Sequence, residues 1–119
     1  MSSWICHITS QAAWQAAQEQ GIYHHPSLAD EGFIHCSYPE QVAATAQRFF
    51  QGQTGLVLLW IGCDRLTVRL QVDPVPGHGT FPHLYGPMNL DAVQRVDDLV
   101  TDAQGQFIVA SPPLGLSNE

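Results

Sequence analysis

Three histidines are each followed, two positions further on, by a residue that carries a hydroxyl group. The pairs are His7 with Thr9, His35 with Ser37, and His83 with Tyr85. Residues two apart project from the same face of a β-strand, so each pair would present an imidazole beside a hydroxyl. Imidazoles exchange protons near neutral pH, and hydroxyls orient polar groups. The spacing predicts a cleft in which His7, His35 and His83 are the catalytic residues, provided that the three segments are neighbours.

Other polar residues complete the predicted cleft. The predicted ligand-binding residues are Thr9, Ser37, Gln41, Asp73 and Tyr85. His24, His25 and His78 are assigned to exposed loops or to structural hydrogen bonds, because strand alternation does not apply where they lie. The dispersed histidines and Asp73 match no H-x-H or H-x-x-x-H spacing, so we predict no metal site.

Nucleophilic catalysis by serine or cysteine is the weaker interpretation. Ser37 is not part of a G-x-S-x-G elbow, and the sequence Ser-Tyr-Pro-Glu predicts that Ser37 caps a helix with Glu40 three residues on. Cys6, Cys36 and Cys63 lie on apolar segments without C-x-x-C spacing, which predicts reduced, mostly buried thiols.

The charge balance limits the partners that the chain can bind. Four arginines and no lysine stand against eleven carboxylates, for a net charge of −7. This field repels nucleic acid, so we expect no binding to DNA or RNA. No basic leader and no apolar run of about 20 residues occurs, so we expect a cytoplasmic protein with no membrane contact. A bound phosphate would have to be met by Arg48, Arg69, a helix start or a protonated histidine.

The elements that must position these residues follow from periodicity. Strands are predicted at 4–9, 33–37, 56–61, 67–73, 92–96 and 107–109, and helices at 11–20 and from about 38 to 51. The continuous apolar run 56–61 predicts a central strand. The Gly- and Pro-rich stretch 74–87 predicts a loop, and Asp97, Asp98 and Asp102 an acidic turn. We predict a single α+β domain with a mainly antiparallel sheet over residues 1–110, and a tail at 111–119.

Three segments resemble the DUF952 family of small uncharacterised bacterial proteins: GFIHCSYPEQV at 32–42, LVLLWI at 56–61 and FPHLYGPMNLDAV at 81–93. The resemblance implies a fold similar to the ADP-ribosyltransferase domain, a split antiparallel sheet around a cleft that holds NAD in active relatives. It also implies that His7-Ile8-Thr9 and His35-Cys36-Ser37 stand for the first two catalytic elements of that fold. The late glutamate of those enzymes is missing, and Asp73 is the nearest carboxylate.

Three functions remain open from the sequence. The first is a transferase or hydrolase that acts on an NAD-like nucleotide in the His- and hydroxyl-lined cleft. The second is a module that binds a small ligand or a peptide without turnover. In the third, the histidines are structural and tie the Gly- and Pro-rich stretch to the sheet.

Overall fold

The computed structural model of the chain describes residues 4–113. In this range the strands are β1 (Trp4–Ser10), β2 (Ile22–Tyr23), β3 (Ile34–His35), β4 (Leu56–Gly62), β5 (Leu70–Val75), β6 (Gly79–Leu84), β7 (Met88–Asn89) and β8 (Val93–Leu99). The helices are α1 (Gln11–Gln20), α2 (Ser27–Asp30) and α3 (Val42–Phe49). Short 3₁₀ turns occupy Pro39–Gln41, Cys63–Arg65 and Leu90–Ala92.

The strands form three antiparallel sheets. Their orders are β1-β4-β8, β2-β7 and β3-β6-β5. The predicted α+β class with antiparallel pairing and few helices is therefore confirmed. Residues 111–113 lie outside helices and strands, and residues 114–119 of the predicted tail are outside the described part of the chain. The domain boundary at residue 110 stays a prediction.

Strand β4 is buried on both faces, as its unbroken apolar sequence predicts. Val57, Leu59 and Ile61 pack into one hydrophobic cluster, which also receives Ala17 of α1. Leu56, Leu58 and Trp60 pack into a second cluster on the opposite face. This cluster also contains Val42 and Ala46 of α3. The two main helices therefore cover opposite faces of the first sheet.

Helix α1 begins and ends where the sequence indicates. The Ser10 side chain accepts a hydrogen bond from the Ala13 amide, and Gly21 ends the helix with φ +82°. This cap and stop fix the chain directly after β1, the strand that carries His7 and Thr9. No helix within residues 4–113 is long and apolar enough to cross a membrane.

The predicted loop at 74–87 is wrong, because this stretch contains most of a β-hairpin. β5 and β6 pair from Leu70 with Leu84 to Val75 with Gly79. Pro74 is tolerated because β5 is an edge strand, where a missing amide donor breaks no ladder. Gly77 and Gly79 adopt φ +82° and +88° and close the turn. The hairpin brings His83 and Asp73 onto adjacent strands.

Several predicted boundaries also shift. The strand predicted at 67–73 begins only at Leu70, and Asp97 and Asp98 belong to β8 instead of a turn. Phe107 forms an isolated bridge with Thr101 and no strand at 107–109. These segments are half exposed, so their sequence carries a weaker periodic signal than that of β4.

The free edge of β1 joins the first sheet to the third. The Cys6 amide donates to the Ser37 carbonyl at 2.7 Å, and the Ser37 amide donates to the Cys6 carbonyl at 2.8 Å. Beyond this bridge, β3 pairs with β6, placing His35 opposite His83. The three segments with His-x-hydroxyl spacing are therefore neighbours, β1 beside the end of β3 and β3 beside β6.

Candidate functional site

A cavity of about 270 Å³ lies where the sheet β1-β4-β8 meets the sheet β3-β6-β5. Four imidazoles line it, together with two hydroxyls, one arginine and an apolar remainder. The polar and charged lining residues are His7, His25, His35, His83, Ser37, Thr45 and Arg48. The aromatic ones are Phe49, Phe50 and Phe81. Histidines that are far apart in sequence therefore converge on one concave surface.

His83 is the most deeply placed of the imidazoles that have a free ring nitrogen. Its residue is 3% exposed, and its Nδ1 lies 2.8 Å from Asp73 Oδ2. Within residues 4–113 its Nε2 is buried and has no hydrogen-bond partner. The ring of Phe33 stacks on that of His83, with centroids 4.1 Å apart and planes 14° apart, which fixes the ring orientation.

Asp73 is held as a carboxylate by three donors. Gln71 donates to it at 2.6 Å, Tyr85 donates through its hydroxyl, and His83 donates through Nδ1. These hydrogen bonds, that from Gln71 first, lower the pKa of Asp73 to about 2. An ionised carboxylate only accepts, so His83 Nδ1 carries a proton, and in the neutral ring Nε2 has the free lone pair. Tyr85 in turn lies under the Arg69 guanidinium, 4.5 Å from it.

His7 is engaged at both ring nitrogens. Its Nδ1 lies 2.6 Å from the His35 carbonyl, and its Nε2 lies 2.7 Å from the Tyr23 hydroxyl. The Tyr23 hydroxyl also lies 2.9 Å from Thr9 Oγ1. A carbonyl only accepts, so Nδ1 donates and Nε2 accepts from Tyr23. Burial lowers the pKa of His7 from 6.5 to about 4, so the ring is neutral at pH 7.

We expect Tyr23→Phe to destabilise the protein by about 1–3 kcal/mol. The hydroxyl of Tyr23 is buried, and its removal leaves His7 Nε2 without its donor and removes the partner of Thr9. Urea unfolding at pH 7 measures the change. The double variant with Thr9→Val is the control: if the hydroxyls act as one network, the two losses will not add. Fully additive losses would show that Thr9 and Tyr23 are independent.

His35 and His25 lie nearer the solvent. His35 Nε2 is 3.0 Å from Glu31 Oε2, and both side chains are half exposed. His25 Nδ1 accepts from the Ser27 amide at 3.0 Å, which leaves Nε2 as the protonated nitrogen of the neutral ring. Burial, and then the neighbouring His35, lower the pKa of His25. Of these two lining residues, the neutral ring of His83 therefore has its lone pair on Nε2, and that of His25 has its N–H on Nε2.

The predicted N-cap role of Ser37 is wrong. The 3₁₀ turn before α3 starts one residue later, and the Gln41 side chain accepts from the Tyr38 amide at 2.9 Å. Pro39 sets the first turn residue and so places its cap at Tyr38. Ser37 Oγ instead lies 3.4 Å from Thr45 Oγ1, and both residues line the cavity. The Ser37 hydroxyl is therefore not used as a helix cap, and Ser37 is a lining residue of the cavity.

The predicted site residues divide into two groups. His7, His35, His83 and Ser37 line the cavity, whereas Thr9, Gln41, Asp73 and Tyr85 do not. Three of the second group act on lining residues: Thr9 through Tyr23, and Asp73 and Tyr85 through His83. Gln41 ties the start of α3 to β6 by donating to the Thr80 carbonyl at 2.8 Å.

The sequence does not predict His25 as a site residue, because its pattern indicates an exposed loop or a structural hydrogen bond. It lines the cavity with its ring centroid 5.4 Å from that of His7. The signal lay in its spacing to Ser27, which forms a local turn instead of a strand pair. Tyr23 and Phe33 carried no comparable signal, because any apolar strand contains such residues.

The cysteines near the cavity are protonated thiols. Burial raises the pKa of Cys6 to about 12 and raises that of Cys36 still further. A thiol that stays protonated is a poor nucleophile at pH 7. In the described part of the chain, no cluster of three or more His, Cys, Asp or Glu residues has the geometry to hold a metal ion.

The fold and the cavity define a class: a small α+β protein whose antiparallel sheets meet around an imidazole-lined cavity. The chain belongs to the family described as "Protein of unknown function (DUF952)", whose model matches residues 8–96. A comparison with curated proteins found no match.

Solved structures of protein CC0527 from Caulobacter crescentus match this chain. The crystal structure is 38% identical with a TM-score of 0.81, and the match covers 89% of this chain and 94% of that one. The solution NMR structure is 39% identical with a TM-score of 0.76, covering 87% and 90%. This chain is therefore similar to CC0527 along nearly its whole length.

Proposed function

We propose that the cavity is the active site of a hydrolase or transferase that acts on a nucleotide-like ligand. The observation that carries the proposal is the Asp73–His83 pair, in which the carboxylate fixes the tautomer and Nε2 is buried without a partner. A buried, unpaired acceptor is costly in a structural role, because each such group loses its hydration without compensation. It is the arrangement that a general base requires.

The chemistry follows from the two tautomers. His83 Nε2 takes the proton of a water or an acceptor hydroxyl as its oxygen attacks the glycosidic carbon of the ligand. The bond from that carbon to the nucleobase breaks, and the nucleobase leaves with the bonding electrons. The N–H of His25 donates to a ligand oxygen, and His7 acts indirectly by holding the His35 carbonyl.

An ADP-ribosyltransferase-like fold belongs to this proposal, and NAD is the first nucleotide to test because the resemblance implies it. Support comes from His7-Ile8-Thr9 and His35-Cys36-Ser37, which lie on adjacent segments at one cavity in the order that the resemblance implies. Asp73 departs from the role of the missing glutamate, since its oxygens are engaged by Gln71, Tyr85 and His83. The general base would then be the His83 imidazole, and the Asp73 carboxylate would orient it.

We expect His35→Ala to abolish or weaken a ligand response while leaving the protein folded. His35 is half exposed and lines the cavity, so its side chain contributes little to the core. The test is a thermal-shift panel with NAD, ADP-ribose and nucleotides, followed by chromatographic detection of nicotinamide or free base. His78→Ala is the matched control, because His78 lies on the exposed hairpin turn.

The outcomes separate the three functions. Products released by the wild type support the enzyme. A ligand that raises Tm in the wild type and in His78→Ala but not in His35→Ala, without products, supports a binding module. If no ligand shifts Tm and His35→Ala lowers it, the histidine is structural and the proposal fails.

A further inference from the structure

The cavity lining carries one fixed positive charge. Arg48 is the lining residue that supplies it, and its guanidinium lies 4.3 Å from the centroid of the Phe49 ring. Within residues 4–113 it pairs with no carboxylate, and no carboxylate lines the cavity. An arginine that is left unpaired in a chain of net charge −7 is available to an anion.

The other arginines are directed elsewhere. Arg95 donates to Asp97 at 3.0 Å and to the Ser111 carbonyl at 2.6 Å, and Arg69 covers the Tyr85 ring. Arg65 lies in the 3₁₀ turn after β4. None of the three lines the cavity, and the sequence contains no lysine.

Backbone donors at helix starts do not add to this charge. The first three residues of α1 and of α3 do not line the cavity in the described part of the chain. His7 is neutral and fully engaged. One guanidinium fork matches the oxygens of one phosphate group, whereas a pyrophosphate needs donors along both of its phosphates. The charges therefore fit a ligand with a single phosphate.

The volume leads to the same conclusion. Pockets for drug-sized ligands measure about 300–1,000 Å³, and this cavity of about 270 Å³ lies just below that range. Phe81, Phe50 and the half-exposed Phe49 give it faces on which an aromatic base can stack. The imidazoles and Ser37 provide partners for sugar hydroxyls. There is room for one base and one pentose, with the phosphate at the exposed Arg48.

Building on the proposed function, we infer that the ligand of this cavity is a mononucleotide, a base and pentose with one phosphate, and not a dinucleotide such as NAD. The second nucleoside of a dinucleotide would extend into solvent and add no contact with the lining.

Titration calorimetry at low salt tests this inference with three sets of probes. These are the nucleoside monophosphates AMP, GMP, CMP, UMP and nicotinamide mononucleotide, their nucleosides, and NAD. We expect at least one monophosphate to bind about 10-fold more tightly than its nucleoside, and at least as tightly as NAD. This advantage should shrink in 0.5 M salt, since Arg48 is exposed.

Arg48→Gln should remove the advantage of the phosphate and leave nucleoside affinity unchanged. Arg65→Gln, which changes the net charge equally on an exposed turn, should leave both affinities unchanged. Tighter binding of NAD, binding of no monophosphate, or an equal loss in the two variants would each overturn the inference. The measurement reports binding and not turnover, so the two proposals can fail separately. If the protein binds AMP through Arg48 but does not turn it over, the proposed enzymatic function fails and the inference of a mononucleotide ligand stands.

Discussion

His83→Gln is expected to lower the turnover of the nucleotide ligand by about 10²–10⁴-fold, with a much smaller change in KM. The reason is that His83 lines the cavity and its Nε2 is a buried acceptor without a partner within residues 4–113, whereas a glutamine amide is far too weak a base to take a proton at pH 7. Steady-state kinetics on the substrate identified by product detection measures the loss. His78→Gln, the same substitution on the exposed hairpin turn, should retain wild-type rates.

Asp73→Asn provides the companion test of mechanism. The asparagine amide can donate to His83 Nδ1, which moves the proton of the neutral ring to Nε2 and removes the base. We therefore expect a loss comparable with that of His83→Gln, and the double variant should lose little more than either single variant. Asp98→Asn, on an exposed position of β8, is the control for the change of charge. Full activity in Asp73→Asn would exclude the pair as the catalytic base.

Much of the scaffold was predictable because strong local signals agree with the tertiary structure. The seven residues of β4 are all buried, and their apolar run permits little other than a central strand. Ser10 and Gly21 mark the two ends of α1 by their own chemistry. Period-two spacing also placed His7 and Thr9 on one face, where both contact Tyr23.

The central pair of the site was hidden because its signal is non-local. Asp73 and His83 are neighbours only through the register of a hairpin that pairs Gln71 with His83 and Asp73 with Phe81. The density of Gly and Pro around the turn concealed that hairpin, since these residues typically mark loops. The sequence predicts Asp73 as a ligand-binding residue, whereas the tertiary structure makes it the hydrogen-bond partner of His83, which lines the cavity.

His25 and Ser37 show the complementary limit. In both cases a local pattern had two structural interpretations that the sequence could not separate. The spacing of His25 and Ser27 lies outside a strand, so it does not predict a shared face, yet Ser27 forms a local turn with His25. The cap predicted at Ser37 lies one residue later, at Tyr38. That Ser37 is not a helix cap, and that a turn places His25 at the cavity, can be seen only from the tertiary structure.

The protein is expected to lose on the order of 3 kcal/mol of stability as the pH falls from about 6.5 to 4, because His7 is buried neutral. Burial lowers its pKa from 6.5 to about 4. Between these values the unfolded chain binds a proton that the folded protein does not, so unfolding becomes more favourable as the pH falls. His25, whose pKa is also lowered by burial, adds to the loss in the same direction.

Urea unfolding at half-unit steps from pH 7 to pH 4 measures this dependence. The carboxylate of Asp73 contributes outside this window, because its depressed pKa keeps its stabilisation intact above about pH 4 and removes it only as the pH falls toward 2. His7→Gln should flatten the curve, since the amide can donate to the His35 carbonyl without titrating. His78→Gln should keep the wild-type slope. A slope unchanged in His7→Gln would mean that His7 is not the group that titrates.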